Sequence, residues 1–121
     1  LLLLFTTYWD HATPWTTRPD LVQRSMGHAC EWETSMIQAI HPHLVGPTEQ
    51  LEDVPVEFGF EPAYRGWITD DRTITGHMGK PRHASPEKGE HLLNAYARGV
   101  ADFLLKITSW DGESWLDPAK R

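Results

Sequence analysis

Leu1-Leu2-Leu3-Leu4-Phe5-Thr6-Thr7-Tyr8 opens the chain. Its first five positions are all apolar, so neither face of an extended strand would suit water. A strand with one wet face alternates polar and apolar side chains. A strand apolar on both faces belongs to a parallel sheet covered by helices on both sides. Thr6, Thr7 and Tyr8 add β preference. A secretory leader is the other reading of such a run, but no basic region precedes it and no small-residue cleavage site follows. Residues 1 to 8 are therefore predicted to be a central parallel strand of an α/β fold with three layers and a mainly parallel sheet. A chain that opens on a core strand also reads as the C-terminal portion of a longer protein.

Beyond the strand, Pro14 and Pro19 punctuate a loop over residues 10 to 19 that carries His11 and Trp15, just after Trp9. Loops at the carboxyl ends of strands hold the ligand sites of open α/β sheets. Pro19 and Asp20 predict a short helix to about Arg24. A second helix is predicted from Glu31 or Trp32 to about Ile40, with Trp32, Met36, Ile37 and Ile40 as its core face, ended by Pro42. Residues 46 to 72 read as a long, partly extended excursion interrupted by Pro47, Pro55 and Pro62. Thr73-Ile74-Thr75 reads as a short strand. The last helix has the clearest start, with Ser85 as cap, Pro86 in the first position and Glu87 in the first turn. Leu92, Leu93, Tyr96, Val100, Phe103, Leu104 and Ile107 keep its 3.6-residue period, and it is predicted over residues 86 to 106.

Composition sets the outer limits. The chain has 121 residues, one domain at most. Its formal charge of -6 argues against nucleic acid as a partner. Apolar residues make up 40% of the chain and it has six Trp, enough to fill a core. A single Cys excludes an internal disulfide and suits a reducing cytoplasm. No stretch approaches the ~20 apolar residues of a membrane span.

The stretch Gly27-His28-Ala29-Cys30-Glu31-Trp32-Glu33-Thr34-Ser35 concentrates the chemistry. A histidine carries a proton near neutral pH, and a carboxylate can fix its tautomer. The same residue types also bind metals, and spacing alone does not decide between these roles. Each residue has a structural alternative. His28 could cap the helix, and Glu33 could be a solvated helix residue; the five-residue spacing is not one helical face. Trp9 could be core filler. Thr34 and Ser35 suit helix N-terminal amides, and no nucleophile elbow surrounds them. Glu31 reads as structural or as part of a rim, and Cys30 as a small buried hydrophobe. His41 and His43 read as cationic residues at a helix C-terminus.

The same stretch resembles the His-Ala-Gly-Glu-x-Glu-Thr-Ser block of the creatininase-type, metal-dependent amidohydrolases. Gly76-His77-Met78-Gly79-Lys80-Pro81 followed by Ala84-Ser85-Pro86-Glu87-Lys88-Gly89-Glu90 resembles a second block of that family, and Tyr8-Trp9-Asp10 a weaker third. The resemblance implies that residues 1–107 are the C-terminal part of a creatininase-like domain and residues 108–121 a tail. It implies His28 as general acid/base, Glu33 as its supporting carboxylate and Trp9 as a pocket wall. It further implies two divalent ions, Zn²⁺ or Mn²⁺, whose ligands in the family lie mostly in a preceding half, and a homohexamer. The implied chemistry is metal-activated water attacking a linear or cyclic amide or a formamide. A relative that keeps the fold for small-molecule binding or subunit assembly is the alternative. Three features depart from the family: the metal ligands have no match here, Cys30 replaces a glycine, and Gly27 stands where creatininases have an acidic residue. A fourth is Arg24, four residues before His28, where those enzymes carry a mobile Trp. Arg24 points away from creatinine and toward an anionic substrate.

Overall fold

The computed structural model describes residues 1–57, 59–60, 63, 66 and 68–112. Two α-helices organise it, α1 (Glu31–Ile40) and α2 (Pro86–Thr108), with five short 3-10 turns between and before them. Glu31 and Glu33 lie in the first turn of α1, at the positive end of its dipole. His41, the next residue, closes α1 by donating its N–H to Ile37 O, and Pro42 prevents continuation. At the other helix the expected cap is present. Ser85 is extended, its Oγ accepts from Lys88 N at 3.3 Å, and Pro86 follows in the first position.

The helices meet almost backbone to backbone. A Cβ on Gly89 would lie 2.0 Å from Ser35 O, so only glycine permits this approach. Gly99, further along α2, sits equally close to His11 O, at 2.1 Å, and seats the turn Tyr8–His11 on the helix. The core between these elements is Leu21, Cys30, Trp32, Met36, Leu92 and Tyr96, with Trp9, Trp15, Met26 and Leu93 packed around it. Trp15 stacks on Trp32 with ring centroids 5.5 Å apart.

A buried ion pair joins the two helix N-termini. Lys88 Nζ donates to Glu31 Oε1 at 2.6 Å and to His83 O at 2.7 Å. Glu31 is fully buried, and its carboxylate also accepts the N–H groups of Val22 (3.3 Å) and Gln23 (2.7 Å). The structural role read for Glu31 holds, but its place is the centre of the molecule and not a rim. Those two bonds also account for the missing helix at residues 19 to 24. Amides that a helix would direct to carbonyls four residues back are committed to Glu31 instead.

The predicted strand over residues 1 to 8 is not formed. Among the described residues there is no strand, only two isolated antiparallel bridges, His28 with Met78 and Val54 with Gly79. A strand exists through its ladder partners, and no described segment pairs with residues 1 to 7. Leu1, Leu3, Leu4 and Phe5 consequently stand exposed. Residues 73 to 75 form a turn in place of the short strand, with Ile74 in solvent. On α1, Ile37 and Ile40 are exposed because α2 covers only the side bearing Trp32, Ser35 and Met36. On α2, Leu92 and Tyr96 are buried while Leu93, Val100 and Phe103 are half-buried. Of the tail, residues 113–121 lie outside the described residues.

Removing one partner of a buried ion pair leaves an uncompensated charge. Lys88→Met is therefore expected to destabilise the chain by about 3–5 kcal/mol, read as a lower urea midpoint. The double variant Glu31→Gln/Lys88→Met should recover part of the loss. An unchanged midpoint in the single variant would show that the pair does not hold the helices.

Candidate active site

His28 projects from a tightly fixed backbone. Its N–H donates to Met78 O at 2.9 Å and its carbonyl accepts from Met78 N at 2.7 Å. Gly27 lies against the same strip, where a Cβ would come within 2.0 Å of Met78 O and 2.8 Å of Val56 Cγ1. On the other side Ala29 takes φ 45°, a left-handed conformation that an L-residue adopts at a cost of roughly 1–2 kcal/mol. That twist turns the chain from the bridge into the start of α1. The His28 ring is left exposed, with no hydrogen-bond partner among the described residues.

Glu33 faces elsewhere. Its Oε2 is buried and accepts no hydrogen bond. Its charge acts on Tyr8, whose phenol is pushed above the ordinary tyrosine value, first by burial, then by Glu33 and Cys30. Tyr8 meets Trp9 edge-on at 4.9 Å and Tyr96 at 5.2 Å. The phenol of Tyr96 is likewise pushed up, by burial and then by Tyr8 and Cys30. Its hydroxyl and Trp32 Nε1 are also buried without partners. Glu33 thus sits beside an aromatic nook made by Tyr8, Trp9, Trp32 and Tyr96, and within it the phenols stay protonated donors at neutral pH.

Among the described residues no hydrogen bond joins His28 and Glu33 directly. Ala29 turns His28 away before α1 begins, whereas Glu33 is already in the first helical turn. Trp9 does reach the nook, half-buried against the core. Arg24 lies apart from it, lining a cleft with Lys80, and its Nη1 donates to Leu21 O. Ser35 Oγ accepts from Ser85 N at 3.1 Å and Thr34 Oγ1 donates to Ala29 O, so neither serves the α1 amides. Cys30 is buried and unoxidised, as read. His41 and His43 stand edge-on to each other, 5.8 Å apart, just beyond α1. Among the described residues no three His, Cys, Asp or Glu side chains converge to hold a metal ion.

Sequence reasoning passed over the place of Tyr8 in the aromatic cluster and Lys88 as a structural residue. A lysine in the first turn of α2 opposes the helix dipole, and that was the available sign of a buried partner. Tyr8 falls in the weaker third block of the resemblance, but the run before it reads as a strand, which hid its meeting with Tyr96.

Residues 2–104 match the creatininase family, described as creatinine amidohydrolase. No curated protein and no solved structure matches the chain. The matched segment contains the aromatic nook, the His28 turn and both helix N-termini. The family implies an α/β fold, of which the described residues form helices and no sheet.

If Glu33 charges the nook, Glu33→Gln should lower the titration midpoint of Tyr8 toward the ordinary tyrosine value of about 10. Ring-¹³C-tyrosine NMR across alkaline pH resolves Tyr8 from Tyr96. A Tyr8 midpoint that does not move would separate the carboxylate from the phenol.

Proposed function

This chain belongs to the creatininase family, a family of hydrolases that act on C–N bonds, and on that premise we propose that it hydrolyses a non-peptide amide: linear, cyclic or a formamide. The observation that supports this reading most directly is the His28 imidazole, exposed on a backbone pinned by the Met78 bridge. Amide hydrolysis needs two proton transfers. Water loses a proton as its oxygen bonds to the carbonyl carbon, and the leaving nitrogen gains one as the C–N bond breaks. One imidazole serves both steps, taking the first proton and returning it to nitrogen. Trp9, half-buried at the edge of the aromatic cluster, is the pocket wall in this reading. In this reading Glu33 supports His28 through a bridging water and not by direct contact.

The family is metal-dependent. The described residues do not supply a donor set for its Zn²⁺ or Mn²⁺ ions, so this chain's own part is proton transfer and substrate holding. The reading extends to a cytoplasmic homohexamer acting on a small molecule. Its acidity supports the exclusion of nucleic acid, and no helix among the described residues is long and apolar enough to cross a membrane.

Turnover of formamides and cyclic amides by the full-length gene product, with Mn²⁺ or Zn²⁺ added, tests the proposal. His28→Ala should lower it roughly 10²–10⁴-fold with metal content unchanged, and Glu33→Gln should lower it less. Turnover indifferent to His28 would remove the assignment. A protein that binds such amides without turning them over would be the non-catalytic relative. Purified as residues 1–121 and dialysed, the chain is expected to retain no stoichiometric metal by elemental analysis. Two tightly held ions would reveal donors that do not converge here.

A further inference from the structure

A cleft of about 370 Å³ opens beside the His28 turn, between residues 22–25 on one wall and 53–57 on the other, with Gly79 and Lys80 at its floor. That volume suits a small-molecule group. Arg24 and Lys80 line it from different parts of the sequence, and neither makes an ion pair among the described residues.

The backbone beside both is anchored by one buried side chain. Gln23 is 3% exposed, and its Oε1 accepts the N–H of Lys80 at 3.0 Å and that of Glu31 at 3.3 Å. Its Nε2 donates to Ser25 O at 2.7 Å, and its own N–H is fixed by the Glu31 carboxylate. Arg24 therefore lies between two anchored residues, and Lys80 is anchored to the same amide. Gly79 completes the floor, where a Cβ would come within 2.4 Å of Gln23 Oε1. Two carboxylates share the lining. Asp53 is engaged by Arg82 Nε at 3.1 Å and His83 Nε2 at 3.3 Å, which leaves Glu57 as its acid without a cationic partner among the described residues.

We propose that this cleft is an oxyanion subsite, in which Arg24 and Lys80 bind a carboxylate or phosphate group of the substrate. It rests on the amidohydrolase reading for its purpose, since Gly79 follows Met78, the bridge partner of His28, and an amide bearing an anionic group could be held by the cleft while His28 meets its C–N bond. Both residues line the one cleft from backbone anchored on Gln23, and beyond the Nη1 that donates to Leu21 O the planar guanidinium has further N–H groups for the oxygens of an anion.

Inorganic phosphate and succinate, titrated separately into the ¹⁵N-labelled chain, provide the test. Saturable shifts of Ser25, Gly79, Lys80 and the Arg24 Nε–H are expected with at least one of them, and the tighter binder identifies the group. Arg24→Met and Lys80→Met should each weaken binding at least fivefold, Arg24→Lys should weaken it less, and Glu57→Gln should strengthen it. Arg98→Met removes an equal charge from the exposed face of α2 and should change nothing. The spectra report whether each variant stays folded. No saturable shift with either anion up to 20-fold above the ~1 mM expected of a weak ligand, or equal loss in Arg98→Met, would overturn the subsite. Because binding is read without turnover, anion binding in a protein that hydrolyses no amide would leave the subsite standing and the proposed reaction refuted.

Discussion

The Glu31–Lys88 ion pair is the constraint on which the other contacts depend. A carboxylate with no solvent exposure is tolerable only if its oxygens find donors, and two segments provide three of them: α2 through Lys88, and the loop before α1 through Val22 and Gln23. Lys88 in turn reaches His83 O, which ties the turn Pro81–His83 to the same point. A parallel sheet would normally hold such loops in register. Where the described residues form no sheet, a charged hub takes that role, and the hydrophobic core of Trp32, Leu92 and Tyr96 packs directly around it.

The hub also divides the site. Through Gln23 it fixes Arg24 and Lys80, whereas His28 is fixed by the Met78 bridge and Glu33 by α1. His28, Glu33 and the Arg24/Lys80 pair therefore hang on three separate anchors, of which the first and third meet at the strip Met78–Gly79. Met78 pairs with His28, and Gly79 pairs with Val54. A glycine is needed at the second position because its φ of 124° and the nearness of Gln23 and Cys30 exclude a side chain.

The two α-helices were legible in the sequence because their signals are local, whereas the short helix read at residues 19 to 24 gave way to the distant Glu31 carboxylate. Ser85-Pro86-Glu87 announces a start whatever surrounds it, and α1 begins at Glu31 as its pattern implies. The reading of Leu1 to Tyr8 as a strand failed for a different reason. Apolar composition states what a segment would prefer to bury, but a strand also needs a partner's hydrogen bonds, and these lie outside the segment. The nook was legible only in part. Trp9 could be suspected from its position, while Tyr8 and Tyr96 meet only after Gly99 lets the N-terminal turn settle on α2. Glu31 was undervalued because a carboxylate's burial depends on a lysine 57 positions away.

The same logic separates Glu33 from Glu31. Both stand in the first turn of α1, where the helix dipole favours negative charge. Glu31 spends its oxygens on Lys88, Val22 and Gln23 and has nothing left to offer a substrate. Glu33 lies on the turn's other side, where the neighbours are aromatic rings and its Oε2 is buried unpaired. Two residues apart in one motif, one carboxylate is consumed in building the scaffold, and the other stands near Tyr8 with one oxygen unpaired among the described residues.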